Sequence, residues 1–327
     1  MQKEEKGVGD RLIIDIHSHL FVKEWMPEEH WRGWARHAAD KAASVFGARP
    51  SYEETMENII RPLFDPTGEI LIGEMGEVID KTVILPQDFG FSREARVSIE
   101  EQNWKHVEIG RKHPDKLIAF AGIDPRRKNC ADFLEKCIKE WDMKGLKLHP
   151  AAGFFPNDER AYPLYQKATE LEIPVLFHSG PTILPYKSKF SHPIYLDDVA
   201  TDFPDLKIIA AHTALDVGDL GGRGWWRDLL AIGSVKNNIM VDIAGWELKA
   251  MTHYEQFCSM LRSTMDELGV HRVLFGTDGP CFRLAYPPQQ YVKIIKELPQ
   301  NSPKGIEFTE KDISAVLGEN AQKILNL

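Results

Sequence analysis

Short β-branched apolar runs recur along the chain, each followed by a polar or Gly/Pro-containing turn and then a stretch with helical periodicity. The runs at 12–19, 81–86 (KTVILP), 117–122 (LIAFAG), 144–149 (KGLKLH), 174–178 (PVLFH), 207–211 (KIIAA), 238–243 (NIMVDI) and 272–276 (RVLFG) read as strands. Helices are expected between them, at 66–79, 92–112, 129–142, 160–171 and 253–268, with Asp, Ser or Asn near their starts as caps. Apolar strands alternating with helices imply a parallel sheet covered by helices. Eight repeats fit one α/β domain over 1–327, a distorted (β/α)8 TIM barrel. A doubly wound open sheet is the alternative, but no G-x-G-x-x-G follows the first strand.

At 327 residues, 43% hydrophobic and 27% charged, the chain has the composition of a globular protein with a sizeable core. Forty basic against forty-nine acidic residues leave a net charge of −9, which gives no long-range attraction for nucleic acid or anionic lipid. The longest apolar runs are too short for a membrane span, and the opening MQKEEKGVGD lacks the apolar region of a secretory signal. Cys130, Cys137, Cys258 and Cys281 show no C-x-x-C spacing and read as reduced thiols, so a cytoplasmic protein is expected. Cys130 and Cys137 stand i and i+7 on one helix, where core packing accounts for them.

Two segments interrupt the alternation. Residues 21–65 form an insert rich in aromatics (Phe21, Trp25, Trp31, Trp34, Phe46, Tyr52, Phe64) after the first strand, at the barrel mouth. A lid, a homodimer contact or a small satellite core would each account for it. The Gly-rich DVGDLGGRGWW at 216–226 has no Walker-type lysine and reads as a mobile edge rather than a phosphate cradle. In the tail, Thr309 with Asp312 gives a capping-box start, and Gly318 a helix stop.

The chemistry gathers at strand ends. In LIIDIHSHL, strand alternation gives Asp15, His17 and His19 one face, and two imidazoles on one face can hold a metal. His178 ends the fifth strand, His212 follows the sixth and Asp278 follows the eighth. In a parallel barrel these ends share the face on which sites are built. Imidazole and carboxylate donors without a nearby thiolate suit one catalytic divalent transition metal, zinc foremost, with manganese, iron or cobalt as alternatives. Such an ion lowers the pKa of its water to about 7 and polarises a substrate oxygen.

From IDIHSHL through KGLKLHP, LFHSG, AAHTA and GTDGP to LGENAQKIL, the chain resembles the amidohydrolase superfamily, in its amidohydrolase-2 branch of hydrolases and nonoxidative decarboxylases. The resemblance implies His17, His19, His178 and Asp278 as metal ligands and His212 as acid/base beside the ion, with Asp278 able to take a proton from water. It also implies that a strand-four lysine, here Lys147, becomes carboxylated and bridges a second metal in binuclear members. Lys147 and His149 share the inward face of GLKLHP, and substrate or water contact is the favoured reading for both. Asp15 is a candidate second acceptor for a ligand histidine, Asp242 and Trp246 stand at the seventh strand's end with Trp246 walling the pocket, and Arg61, Arg223 and Arg283 are candidates to grip a carboxylate. The expected function is a metal-dependent hydrolase whose activated water attacks an amide, lactone or related bond of a small anionic substrate. A decarboxylase or hydratase built on the same site is the alternative, and an inactive metal-binding protein a third reading.

Overall fold

The computed structural model describes residues 12–89, 93, 95–215, 224–281 and 286–327. Its strands are β1 (Ile14–Ser18), β2 (Lys81–Ile84), β3 (Leu117–Ala119, resuming at Ala121–Gly122), β4 (Leu146–Leu148), β5 (Pro174–Phe177), β6 (Lys207–Ala210), β7 (Ile239–Asp242) and β8 (Val273–Leu274). All neighbours pair in parallel and in chain order. The third strand changes partners at Phe120: its N–H reaches Ile84 at 3.2 Å, while the next N–H, of Ala121, reaches Gly145 at 2.8 Å. The first and last strands are joined by Ile16 N–H to Phe275 O (3.0 Å), Asp278 N–H to His17 O (2.8 Å) and His19 N–H to Gly279 O (2.6 Å). The expected α/β barrel is therefore the fold observed.

Alternation sorts each strand's side chains between two cores. Val175 and Phe177 pack outward with the helices, whereas Leu176 joins Ile14, Ile16, Val83, Ile118, Ile209 and Leu274 in the interior cluster. The covering helices follow the usual stripe. In Tyr254–Leu268 the buried Phe257, Cys258, Leu261, Thr264, Met265 and Leu268 recur at helical spacing.

The helix expected over 92–112 begins at Ile99, where the Ser98 hydroxyl accepts from Glu101 N–H at 3.2 Å. The helix in 66–79 is shorter, Glu69–Met75. Thr309 and Asp312 do form a capping box. Gly318 is not a stop. A π-turn over Ala315–Glu319 runs directly into the helix Asn320–Leu325, and a Cβ on Gly318 would stand 1.8 Å from the Leu12 carbonyl. Its glycine permits close approach of the tail to the first strand rather than termination.

The insert folds as a helix, Glu28–Phe46, followed by short turns, and buries its own apolar cluster of Phe21, Met26, Trp31, Ile60 and Leu63 with the barrel's Phe89 and Ala152. The expected satellite core is formed. A Cβ on Gly33 would meet the Leu184 carbonyl at 1.7 Å, so glycine lets this helix lie directly on the loop after β5. Of the Gly-rich segment, residues 216–223 lie outside the described residues. No helix among those described is long and apolar enough to cross a membrane.

Candidate metal centre

Strand alternation alone does not deliver both histidines of β1. Ile14 and Ile16 point into the interior cluster, and the pairing with β2 shifts register between Asp15 and Ser18. Beyond that irregularity His17 and His19 turn to one centre, with their Nε2 atoms 3.2 Å apart, and Asp15 does not accompany them. Its Oδ1 accepts from the N–H groups of His17 (2.9 Å) and Thr277 (3.1 Å), and its Oδ2 from the hydroxyls of Ser18 (2.8 Å) and Thr277 (2.6 Å). Burial pushes its pKa up to about 6 against those donors. Asp15 is a brace between the first strand and the last, not the acceptor behind a ligand ring.

That acceptor is Asp242, 225 positions away in sequence. Its Oδ2 lies 2.9 Å from His17 Nδ1, and its Oδ1 accepts from the backbone N–H of His212 (2.7 Å) and Ala244 (3.1 Å). One carboxylate thus fixes a ring and a turn together. The turn needs holding, because His212, Thr213 and Ala214 all have positive φ (59°, 48°, 53°), as does Asp278 (50°). Gly276 completes the approach of β8 to β1: a Cβ there would stand 3.0 Å from the Cβ of His17.

Hydrogen bonds assign the tautomers. His19 Nδ1 faces the Leu85 carbonyl at 2.7 Å and His212 Nδ1 the Ala244 carbonyl at 3.0 Å. A carbonyl only accepts, so each Nδ1 carries hydrogen, and Asp242 imposes the same on His17. Burial holds the rings of His17 and His19 below the ordinary imidazole range, so both are neutral and present bare Nε2 lone pairs. Asp278 Oδ1 lies 3.5 Å from His17 Nε2 and 3.4 Å from His19 Nε2. Donor atoms of His17, His212 and Asp278 all fall within 4.8 Å of one another, and His178 Nε2 is buried without a partner. The Lys147 ammonium answers the lone pair of His17 from 3.2 Å, but His178 Nε2 stays without a partner, and a divalent cation among the imidazoles and Asp278 would satisfy it. The donor set therefore fits a divalent metal, with His19 and His178 at its edge.

Lys147 is fully buried, its Nζ 3.2 Å from His17 Nε2, and desolvation lowers its pKa to about 8. His149 is buried with both ring nitrogens unpartnered, its ring 4.5 Å from that of His178 and 4.7 Å from Phe89. The structure thus brings Lys147 and His149 to the expected site.

A family profile described as amidohydrolase matches residues 14–327. The chain belongs to the amidohydrolase family. Within it, this amidohydrolase is 26% identical over 236 residues to 2-keto-4-carboxy-3-hexenedioate hydratase of a Sphingobium species, a match spanning 62% of this chain and 65% of that protein. Two solved structures share its fold. The 5-carboxyvanillate decarboxylase of Novosphingobium aromaticivorans, complexed with manganese and 4-hydroxy-3-methoxy-5-nitrobenzoic acid, superimposes with a TM-score of 0.66 at 17% identity, covering 97% of each chain. The 4-oxalomesaconate hydratase of Rhodopseudomonas palustris gives 0.58 at 21% identity, covering 96% of each.

Other expected residues fall elsewhere. Arg61 is exposed and paired with Glu57 one turn earlier in the insert (2.7 Å), so the structure does not bring it to the cluster. Trp246 is fully buried behind His212, donating its indole N–H to the His212 carbonyl at 2.8 Å. It supports the histidine's turn from behind. Arg223 and Arg283 lie outside the described residues. The insert's Phe21, Trp25 and Trp31 are buried within this chain. Sequence reasoning missed His30, Tyr186 and Phe89, which gather around His149. Only the aromatic richness of the insert hinted at His30.

Proposed function

We propose that this amidohydrolase is a metal-dependent lyase acting on a small, unsaturated polycarboxylate, and that its reaction is the addition of water across a conjugated double bond. The observation that carries the reading is the pairing of two features in one dry site: bare imidazole nitrogens converging with Asp278, and the Lys147 ammonium beside them. The first calls for a divalent cation and the second for an anionic substrate. The 26% identity to a hydratase of a carboxylated hexenedioate supports hydration in particular. Decarboxylation of a carboxylated arene is the second reading, favoured by the shared fold of the 5-carboxyvanillate enzyme.

His17, His19, His178 and Asp278 would hold one metal, which supplies a Lewis-acidic centre for the substrate's oxygens, and His212, whose donor atom lies within 4.8 Å of those of His17 and Asp278, would stand beside it. Manganese is as good a candidate as zinc, given the manganese in the decarboxylase structure. Lys147, kept as a free ammonium rather than carboxylated to bridge a second ion, neutralises a substrate carboxylate, and His149 contacts the same molecule. Asp278 takes a proton from water as its oxygen bonds to the β-carbon. His212 Nε2 receives that proton and delivers it to the α-carbon, so the residues end as they began.

The test is a screen of the metal-loaded protein against enoic polycarboxylates, carboxylated aromatics, lactones and N-acyl compounds, scored separately for water addition, carbon dioxide release and hydrolysis. Water addition to an enoic polycarboxylate is expected. Carbon dioxide without a water-derived product would move the assignment to the decarboxylase, and lactone or amide cleavage alone would overturn the lyase reading. His212→Asn should keep one metal per chain and lower turnover by roughly 10²- to 10⁴-fold. Loss of metal in that variant would point to a binuclear site.

A further inference from the structure

His30 lies on the insert helix and meets residues from two other parts of the barrel mouth. Its ring stands 5.1 Å from Phe89 and 5.7 Å from Tyr186, and its charge would be felt by both His19 and His149. Only 5% of the residue is exposed, and Nε2 is buried with no hydrogen-bond partner. Nδ1 is 3.2 Å from the Tyr186 hydroxyl. Burial keeps that phenol protonated, pushing its pKa well above the ordinary value against the pull of Arg93. With Tyr186 O–H donating to Nδ1, the phenol hydrogen has its acceptor and the ring hydrogen stands on Nε2. A buried N–H without an acceptor is costly and calls for an explanation.

His149, against the same Phe89, carries two more unpartnered nitrogens. Neutral donors therefore cluster on the side of the site nearest the insert, and Lys147 stands at the metal cluster. Such a wall is built to accept an anion without a guanidinium in direct contact.

We propose that His30 is a specificity residue, whose Nε2–H, together with His149, receives a second carboxylate of the substrate, the one remote from the metal. The inference rests on the polycarboxylate reading above and extends it by assigning the far end of the molecule to the insert. Tyr186 acts through His30 by fixing its tautomer, and is a positioning residue.

The test uses the manganese-loaded full chain and calorimetric binding of two probes, trans-aconitate with several carboxylates and crotonate with one. His30→Phe should weaken trans-aconitate by about 10- to 100-fold, the loss of one hydrogen bond to a charged group, and leave crotonate and manganese binding unchanged. Unchanged manganese binding shows that the site is still folded. His30→Gln, which keeps an N–H, should recover most of the affinity, and Tyr186→Phe should fall between. Unaltered trans-aconitate affinity in His30→Phe, or equal loss on both probes, would overturn the role of His30 alone. Wild-type protein that binds neither probe would overturn the polycarboxylate reading and this inference with it.

Discussion

The two ends of the same barrel strands meet opposite requirements. Toward their N-terminal ends Ile14, Val83, Ile118, Leu176, Ile209 and Leu274 fill the interior, with Ile324 and Leu325 of the tail packed against them. Toward their C-terminal ends, His17, His19, Lys147, His149, His178, His212 and Asp278 crowd together, with both ring nitrogens of His149 and Nε2 of His178 left unpaired. Leu176 on β5 and His178 just past its end are two residues apart, yet one ends in dispersion contacts and the other in a lone pair. The difference teaches where each kind of interaction can be tolerated. The lower core holds the backbone rigid, so the upper groups can keep unsatisfied atoms that a looser scaffold would pair with one another.

That contrast can be broken from either side. The largest effect is expected at the upper end: His178→Ala or Asp278→Ala should abolish metal retention, read by elemental analysis of the purified protein, and turnover with it, while the melting temperature of the metal-free protein barely changes. If either variant keeps its full metal content, the ligand assignment is wrong. At the lower end, Leu176→Ala should cost about 2–5 kcal/mol of stability in urea unfolding, from lost burial plus the cavity left behind, with metal stoichiometry intact while the fold persists. A variant that loses its metal without losing stability would erase the division between the two ends.

A smaller effect sharpens the boundary itself. Asp242 holds His17 Nδ1 and the His212 turn from behind, so Asp242→Asn should weaken metal affinity by about 10- to 100-fold without removing a ligand. Asp15→Asn should instead loosen the junction of β1 and β8, and a metal affinity loss as large as that of Asp242→Asn would show the two aspartates to be equivalent.

A last effect concerns a buried histidine outside the cluster. His106 donates Nδ1–H to the Gln102 carbonyl at 2.8 Å, and burial lowers its pKa to about 4. Above its ordinary value of 6.5 the ring is neutral in both folded and unfolded chains, and the fold keeps its full stability. Between about 6.5 and 4 the unfolded chain binds a proton that the folded chain does not, so stability falls with pH, by up to about 3 kcal/mol in all. The melting temperature should therefore drop between pH 7 and pH 5, and less steeply in His106→Phe. An identical slope in the variant would assign the acid sensitivity elsewhere.

How much was legible follows from how far each relation reaches along the chain. The eight strands, the helical stripes and the Thr309 cap depend on neighbours within a few residues, and all could be read from spacing. So could the landing of His178, His212 and Asp278 at strand ends. The reading of Asp15 as the acceptor behind a ligand ring failed because period-two alternation assumes an unbroken register, and β1 breaks it between Asp15 and Ser18, leaving Asp15 on the backbone N–H of His17. Arg61 failed for another reason: a guanidinium takes the nearest carboxylate, and Glu57 stood one turn away. Gly318 was taken for punctuation, although its missing side chain serves contact with Leu12.

By itself, then, the sequence determined the barrel and the donor types at its mouth, because backbone periodicity and side-chain chemistry are carried by each residue and its near neighbours. Tertiary structure alone decided which carboxylate stands behind His17, which nitrogen of each ring bears hydrogen, and that an insert histidine comes within electrostatic reach of His19 and His149. Those are relations between atoms brought together across up to 225 positions, and no local pattern encodes them.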